Sequence, residues 1–355
     1  MVGTSFSIGG INPLLKSPKS DIWSLTLERK IGNKFAASVG YNGSHSYNLV
    51  GNGNSIGNVS YGVDINAVPG DLIAHESLNP TRLNPSFGAI LYADNDRHGN
   101  YEAVIFDLRG RFSRGYVDVS YTRSRSQDDA LSYPGSESLN PQQYYGPSIF
   151  DVPNRFSLSF NYSLRGLNGG RGAVGYLTGG GGISGTSIFQ SGYPLTATNG
   201  NSYQPVCQFT GTGAPPCPSV ANPAVGYGAS SGDYLADGDN IAYPNALSYS
   251  QPTSNKAWLT GGIPKSNFAV PTFGMEGNEK SNGFRGPNFA ETNINFYKDT
   301  HITERVNFEF RFEVFNLFNR ANYSTVDTNF PDGNFGRATA AHEARFWQLG
   351  GKLSF

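Results

Sequence analysis

Residues 154–165 alternate strictly. Phe156, Leu158, Phe160, Tyr162 and Leu164 are apolar, while Arg155, Ser157, Ser159, Asn161, Ser163 and Arg165 are polar. A period of two puts one face of an extended chain in an apolar medium and the other in water, which no helix satisfies. The pattern recurs at Trp23, Leu25 and Leu27, at Phe35, Ala37, Val39 and Tyr41, and at Val117, Val119 and Tyr121. It returns at Val306, Phe308, Phe310, Phe312 and Val314, interleaved with Asn307, Glu309, Arg311 and Glu313. Weaker candidates cover 2–9, 100–110, 173–191 and 288–299. The chain is expected to be all-β.

The connections alternate in length. Gly32-Asn33 predicts a tight hairpin, and Phe112 to Gly115, Gly166 to Gly172 and Asp299 to Thr303 are also short. Between them lie the long polar stretches 43–99, 126–153, 192–286 and 318–341. Loops beyond about 15 residues are uncommon in compact domains, and here they fall at every second connection. A soluble sandwich has no reason to sort turns and loops to opposite ends. An antiparallel transmembrane β-barrel does, with short turns on one side and long extracellular loops on the other. About 9–10 strands fit into residues 1–355.

Composition agrees. Only 15% of residues are charged, against about 25% in a usual soluble domain. The 24 Phe, 20 Tyr and 3 Trp suit an apolar band with aromatic girdles. A net charge of −1 gives no reason to bind nucleic acid. No window approaches the roughly 18 apolar residues of a spanning helix. A secreted, soluble β-rich binding or adhesion module fits the single strands equally well; the loop asymmetry and the Phe-rich strand face favour the barrel.

Met1 to Gly10 has neither a basic segment nor an apolar core, so no signal peptide is expected there. Cys207 and Cys217 lie in a stretch rich in Pro, Gly and Thr with no His nearby, and a loop disulfide is the better reading than a metal site. That implies an oxidising compartment, and with it a piece of a longer chain.

Candidate chemistry is sparse. Asp233, Asp237 and Asp239 in a glycine-containing loop are a calcium candidate, although the spacing is not that of an EF-hand and a solvated loop explains it too. Asp327 and Asp332 make a weaker case. Gly179 to Gly182 lacks the following Lys-Ser or Lys-Thr of a phosphate loop. His45, His75, His98, His301 and His342 show no metal-binding spacing, and no nucleophile elbow is present. No enzyme activity and no cofactor are expected. Arg109, Arg111, Arg114, Arg123, Arg125, Arg155 and Arg165 either line a lumen and steer an anionic substrate or simply pair with Asp107, Asp118 and their neighbours. Residues 345–355 should form a terminal strand, with Trp347, Leu349, Leu353 and Phe355 toward lipid and Gln348, Lys352 and Ser354 toward the lumen.

Several segments resemble a known family. Phe315-Asn316-Leu317-Phe318-Asn319 is similar to the signature near the end of TonB-dependent outer-membrane receptors. More narrowly, Tyr121-Thr122-Arg123-Ser124 with Asp128-Asp129, Asp151-Val152-Pro153-Asn154-Arg155-Phe156 and Gln190-Ser191-Gly192-Tyr193-Pro194-Leu195 resemble Oar-like receptors. These receptors carry a carboxypeptidase-regulatory-like N-terminal domain. Phe284-Arg285-Gly286-Pro287 and Ile302-Thr303-Glu304-Arg305 follow in that family's order. The resemblance implies a barrel of about 22 strands around a plug, of which this chain is the C-terminal part, with the plug, TonB box and N-terminal domain absent. It further implies uptake of an unidentified substrate across the outer membrane of a diderm bacterium, driven by TonB through the plug. The terminal aromatic Phe355 would be read by the barrel assembly machinery. A passive porin is the alternative within the same fold.

Overall fold

A computed structural model describes residues 6–50, 55–56, 59–60, 63–64, 84, 86–93, 95, 97–129, 145–166, 172, 174–175, 179–198, 243–269, 277–330 and 332–355. Nine strands dominate: β1 (Lys19–Ile31), β2 (Phe35–Leu49), β3 (Arg97–Phe112), β4 (Gly115–Asp128), β5 (Asn154–Ser163), β6 (Gly181–Gln190), β7 (Phe289–His301), β8 (Asn307–Phe315) and β9 (Phe346–Ser354). They pair antiparallel in chain order, β1 to β9, as one continuous meander. The short segment Gly146–Pro147 adds to the end of β4. Among the described residues, β1 and β9 each pair on one edge only.

Both strand faces keep their character across the sheet. Leu27, Val39, Phe106, Tyr121, Phe156 and Phe189 stand opposite one another on successive strands. Phe296, Phe312 and Leu349 continue the apolar face on β7, β8 and β9. Ring contacts lock neighbours together, with centroids 6.5 Å apart for Phe106 and Tyr121, 5.9 Å for Phe156 and Phe189, and 6.3 Å for Phe296 and Phe312. The opposite face carries rows such as Ser38, Asp107, Ser120 and Ser157, or Arg109, Asp118, Ser159, Thr186 and Asn293. Among the described residues none covers the apolar face: Phe106 and Phe296, on inner strands, are still 49% and 44% exposed. Each such ring gains roughly 2 kcal/mol on leaving water, so this face requires an apolar medium outside the chain.

Turns obey local chemistry at one end of the sheet. Gly32 opens the β1–β2 turn at φ +60, a conformation that side chains resist. β3 and β4 meet through Ser113 and Arg114 alone, and a Cβ on Gly115 would stand 2.0 Å from the Asn161 carbonyl oxygen, so only glycine fits there. Residues 302–306 join β7 to β8. The strands on either side of the long connections 50–96, 129–153, 191–288 and 316–345 end and begin at the other end.

The strands are longer than their alternation. β2 continues to Leu49 and β3 begins at Arg97, both inside the stretch expected to be loop, and Phe87–Ala93 pairs in parallel with Phe6–Ile11. Beyond Tyr41 the ladder persists while the apolar spacing stops, as it must where both faces are polar. β9 ends at Ser354, leaving Phe355 just past the strand.

The buried core lies away from the sheet. Ala197, Trp258, Ile263, Phe268, Phe284, Phe330 and Phe335 pack together within the connections 191–288 and 316–345. The expectation of merely polar loops is corrected there. Small antiparallel pairs frame this core: Pro194–Leu195 with Phe284–Arg285, Asn245–Ala246 with Phe268–Ala269, and Tyr323–Val326 with Ala338–Ala341. Phe268 touches Phe284, Phe330 and Phe335 at ring distances of 5.2, 5.8 and 5.3 Å.

Candidate functional site

The long-connection end forms a rim on which the sequence motifs converge, except Ile302 to Arg305, which lie in the β7–β8 turn at the opposite end. Asp151 is 2% exposed. The Ser126 N–H donates to its Oδ1 at 2.6 Å, and the Arg285 Nη2 donates to its Oδ2. Arg285 Nη1 also donates to the Asp151 carbonyl at 2.8 Å. Gln251 holds the other side of Arg285, accepting its N–H at 2.8 Å and donating Nε2 to its carbonyl at 2.9 Å. Two distant motifs thus form one charge-assisted clamp.

Asn154 links a third. Its Oδ1 accepts from the Tyr121 hydroxyl at 2.9 Å and from Arg123 Nη1 at 3.0 Å, and its Nδ2 donates to Ser191 Oγ at 3.1 Å. Gly192 lies against the 284–287 segment so closely that a Cβ would be 2.0 Å from the Gly286 carbonyl oxygen. The Gly286 N–H in turn donates to the Tyr193 carbonyl at 2.8 Å.

Phe315 to Asn319 ends β8 and reverses the chain. Asn316 and Asn319 take φ of 49 and 48, where asparagine is among the few tolerated side chains. Asn316 is 3% exposed. Its N–H donates to Asn293 Oδ1 at 2.9 Å, its Oδ1 accepts the Arg320 N–H at 3.0 Å, and its Nδ2 donates to the carbonyls of Arg320 and Glu343 at 2.9 and 3.2 Å. Asn319 Oδ1 accepts the Arg345 N–H at 3.0 Å, and Phe315 stacks on Phe346 at 4.6 Å, so the turn also fixes the start of β9. Leu317 donates its N–H to the Thr292 carbonyl at 2.8 Å, while Phe318 stays exposed.

Cavities open at the rim, and two of them lie on either side of Gly286. One of about 430 Å³ is mostly apolar, lined by Ile188, Gln190, Tyr193, Phe289, Tyr323 and His342. The other, of about 570 Å³, offers Gln251, Trp258, Arg285, Asn288, Arg320 and Asn322. Glu279 is fully buried, and its Oε1 accepts the Ala197 N–H at 3.1 Å. Burial pushes its carboxyl pKa up to about 8, against the smaller opposing effect of that hydrogen bond.

The arginines divide between the faces. Arg109, Arg111 and Arg155 share the polar face, and Arg111 forms a two-pronged pair with Asp118 at 2.8 and 3.3 Å. Arg123 and Arg125 follow Tyr121 on the apolar face, beyond its last apolar row. Arg114 sits in the β3–β4 turn and Arg165 just after β5. Trp347, Leu349 and Leu353 oppose Val314, Phe312 and Phe308 on the apolar face. Cys207, Cys217, Asp233, Asp237, Asp239 and His75 lie outside the described residues. Among the described residues no three His, Cys, Asp or Glu side chains are grouped to hold a metal. Sequence reading missed Glu279 and the partner of Asp151; only the acid at 279 within a Gly- and Asn-rich run hinted at the first.

Residues 2–348 match the family described as Outer membrane beta barrel domain. No curated protein matches the sequence. Among solved structures, the outer membrane transporter YddB from Escherichia coli is 11% identical with TM-score 0.48, over 96% of this chain and 33% of that one. The FrpB iron transporter from Neisseria meningitidis is also 11% identical, with TM-score 0.44, over 98% and 32%. The pyoverdine receptor FpvA from Pseudomonas aeruginosa gives 11%, 0.43, 96% and 30%. The chain therefore spans about a third of the length of each. These proteins are named as transporters and receptors rather than enzymes. An exposed apolar sheet face, turns and long connections sorted to opposite ends, and the match over residues 2–348 lead to one assignment: the chain belongs to the outer membrane beta barrel domain family and resides in the bacterial outer membrane.

Proposed function

We propose that the chain is the C-terminal part of a TonB-dependent receptor barrel of the Oar-like kind, with the long connections forming the mouth that receives an unidentified substrate. The observation that carries this reading is the clamp between Asp151 and Arg285, which joins two motifs of the receptor resemblance at the rim. The single-edged pairing of β1 and β9 supports a larger barrel, because unpaired backbone in hydrocarbon is costly and further strands would pair both edges. In this reading the plug and the TonB box come from residues outside this sequence, and the wall itself does no bond chemistry. Outer-membrane lipid surrounds the wall, and the barrel assembly machinery inserts it through the strand ending at Phe355.

The test is genetic. Three strains of the native host, lacking this gene, lacking the TonB energy transducer, or lacking neither, are grown in one complex medium and the spent medium is compared. Compounds depleted by the parent and left by both mutants support energy-coupled uptake. Depletion lost only with this gene supports the passive porin. Recovery of the protein from the soluble fraction without detergent points to the secreted binding module.

A further inference from the structure

Tyr41, Val104 and Arg123 stand in one cross-strand row, immediately beyond the row of Val39, Phe106 and Tyr121. Rows on one face are about 6.8 Å apart, so the face that meets lipid turns cationic within one step at β4. The next row outward holds Glu102 opposite Arg125. Among the described residues no carboxylate pairs with Arg123, Arg125 or Arg320. Arg320 belongs to the same boundary: its guanidinium lies 5.1 Å from the ring centre of Phe189, the last aromatic of the apolar row, and 5.6 Å from that of Phe318. Arg123 and Arg125 also line a cavity of about 450 Å³ with Glu102 and with Arg285, whose own charge Asp151 already answers. All three arginines are exposed.

The placement is one-sided in height as well as in face. These cations stand at the long-connection end, which in this family's topology is extracellular, and at the level where acyl chains give way to head groups. A planar guanidinium there binds phosphate with two parallel hydrogen bonds. On the lumen face Arg111 and Arg311 instead have carboxylate partners. We propose that Arg123, Arg125 and Arg320 form an outward-facing belt that binds the phosphate groups of outer-leaflet glycolipids. The inference rests on the barrel family and on face geometry, and stands whether or not transport is coupled to TonB.

The experiment uses the full chain extracted from outer membranes and washed in detergent containing bisphosphorylated lipid A, the same lipid with its phosphates removed, or inorganic phosphate alone. Wild-type protein is expected to retain the bisphosphorylated lipid and to resist thermal unfolding better with it. The double variant R123Q/R125Q should retain at least about threefold less, while R109Q/R155Q, which removes the same charge from the lumen face, should match wild type. Equal retention by R123Q/R125Q and wild type overturns the proposal. Equal retention of the dephosphorylated lipid also overturns it, as does full stabilisation by inorganic phosphate alone, which would assign the belt to a soluble anion. Should the double variant fail to show the folded, heat-sensitive mobility of a barrel, the single variant Arg125→Gln carries the test, and retention equal to wild type overturns the proposal there too.

Discussion

Asp151 and Arg285, 134 positions apart, meet in an ion pair whose acid is 2% exposed and whose base is one-third exposed. Removing the base strands a buried carboxylate; removing the acid leaves a cation that water can reach. Arg285→Met should therefore destabilise the rim by about 3 kcal/mol, more than Asp151→Asn does. Protease cleavage within 191–288, followed against temperature in detergent, measures both. Equal losses would show that the pair does not hold the rim.

Glu279 makes the packed loops sensitive to base. Its carboxyl titrates near 8 when folded and in the ordinary carboxylate range when unfolded. Between those values the folded form holds a proton that the unfolded form has released, so stability falls as pH rises from about 4.5 to 8 and then levels off. The total change is on the order of a few kcal/mol. Glu279→Gln should flatten this profile and make the loops more stable than wild type at pH 8, as read by thermal unfolding at pH 5, 7 and 9.

Asn316 combines a left-handed backbone with hydrogen bonds that few residues replace. Asn316→Ala should cost about 2 kcal/mol. Asn316→Gly should recover the backbone share of that loss and none of the hydrogen-bonded share. Denaturant unfolding of the three proteins separates the two contributions.

The two sheet faces should answer oppositely to charge. Phe106→Arg places a cation in the lipid band and should lower stability by about 2–4 kcal/mol. Ser120→Arg, opposite Asp107 on the polar face, should change it by less than about 0.5 kcal/mol. Folding into lipid vesicles, titrated with urea, reads both.

Phe355 is 97% exposed and lies beyond the last paired residue. Phe355→Asp should shift folded stability by less than about 0.5 kcal/mol yet abolish arrival in the outer membrane, leaving periplasmic aggregates. Normal insertion of that variant would remove Phe355 as an assembly signal.

What the sequence made legible follows the lipid. Where one face meets hydrocarbon, as at Phe156, Leu158 and Phe160, alternation is enforced and the strand can be read directly. Above Tyr41 both faces are polar, the spacing dissolves, and the eight further residues of β2 to Leu49 resembled loop. The rim core was hidden for another reason. Trp258, Phe284 and Phe335 are single aromatics scattered along polar segments, and only tertiary folding brings them together. The motif resemblance marked Asp151 and Arg285 separately, but nothing local says that one answers the other's charge.

Among the described residues, the packed apolar interior lies outside the wall, in a kernel of Ala197, Trp258, Ile263, Phe268, Phe284, Phe330 and Phe335. The wall owes its cohesion to long backbone ladders and the surrounding bilayer, whereas the kernel adds buried side-chain packing to its short paired segments and needs no bilayer. The two rest on different forces, so substitutions on the outward residues of the rim are expected to leave the wall standing. Variation in what the mouth recognises is thereby insulated from the business of building a pore in a membrane.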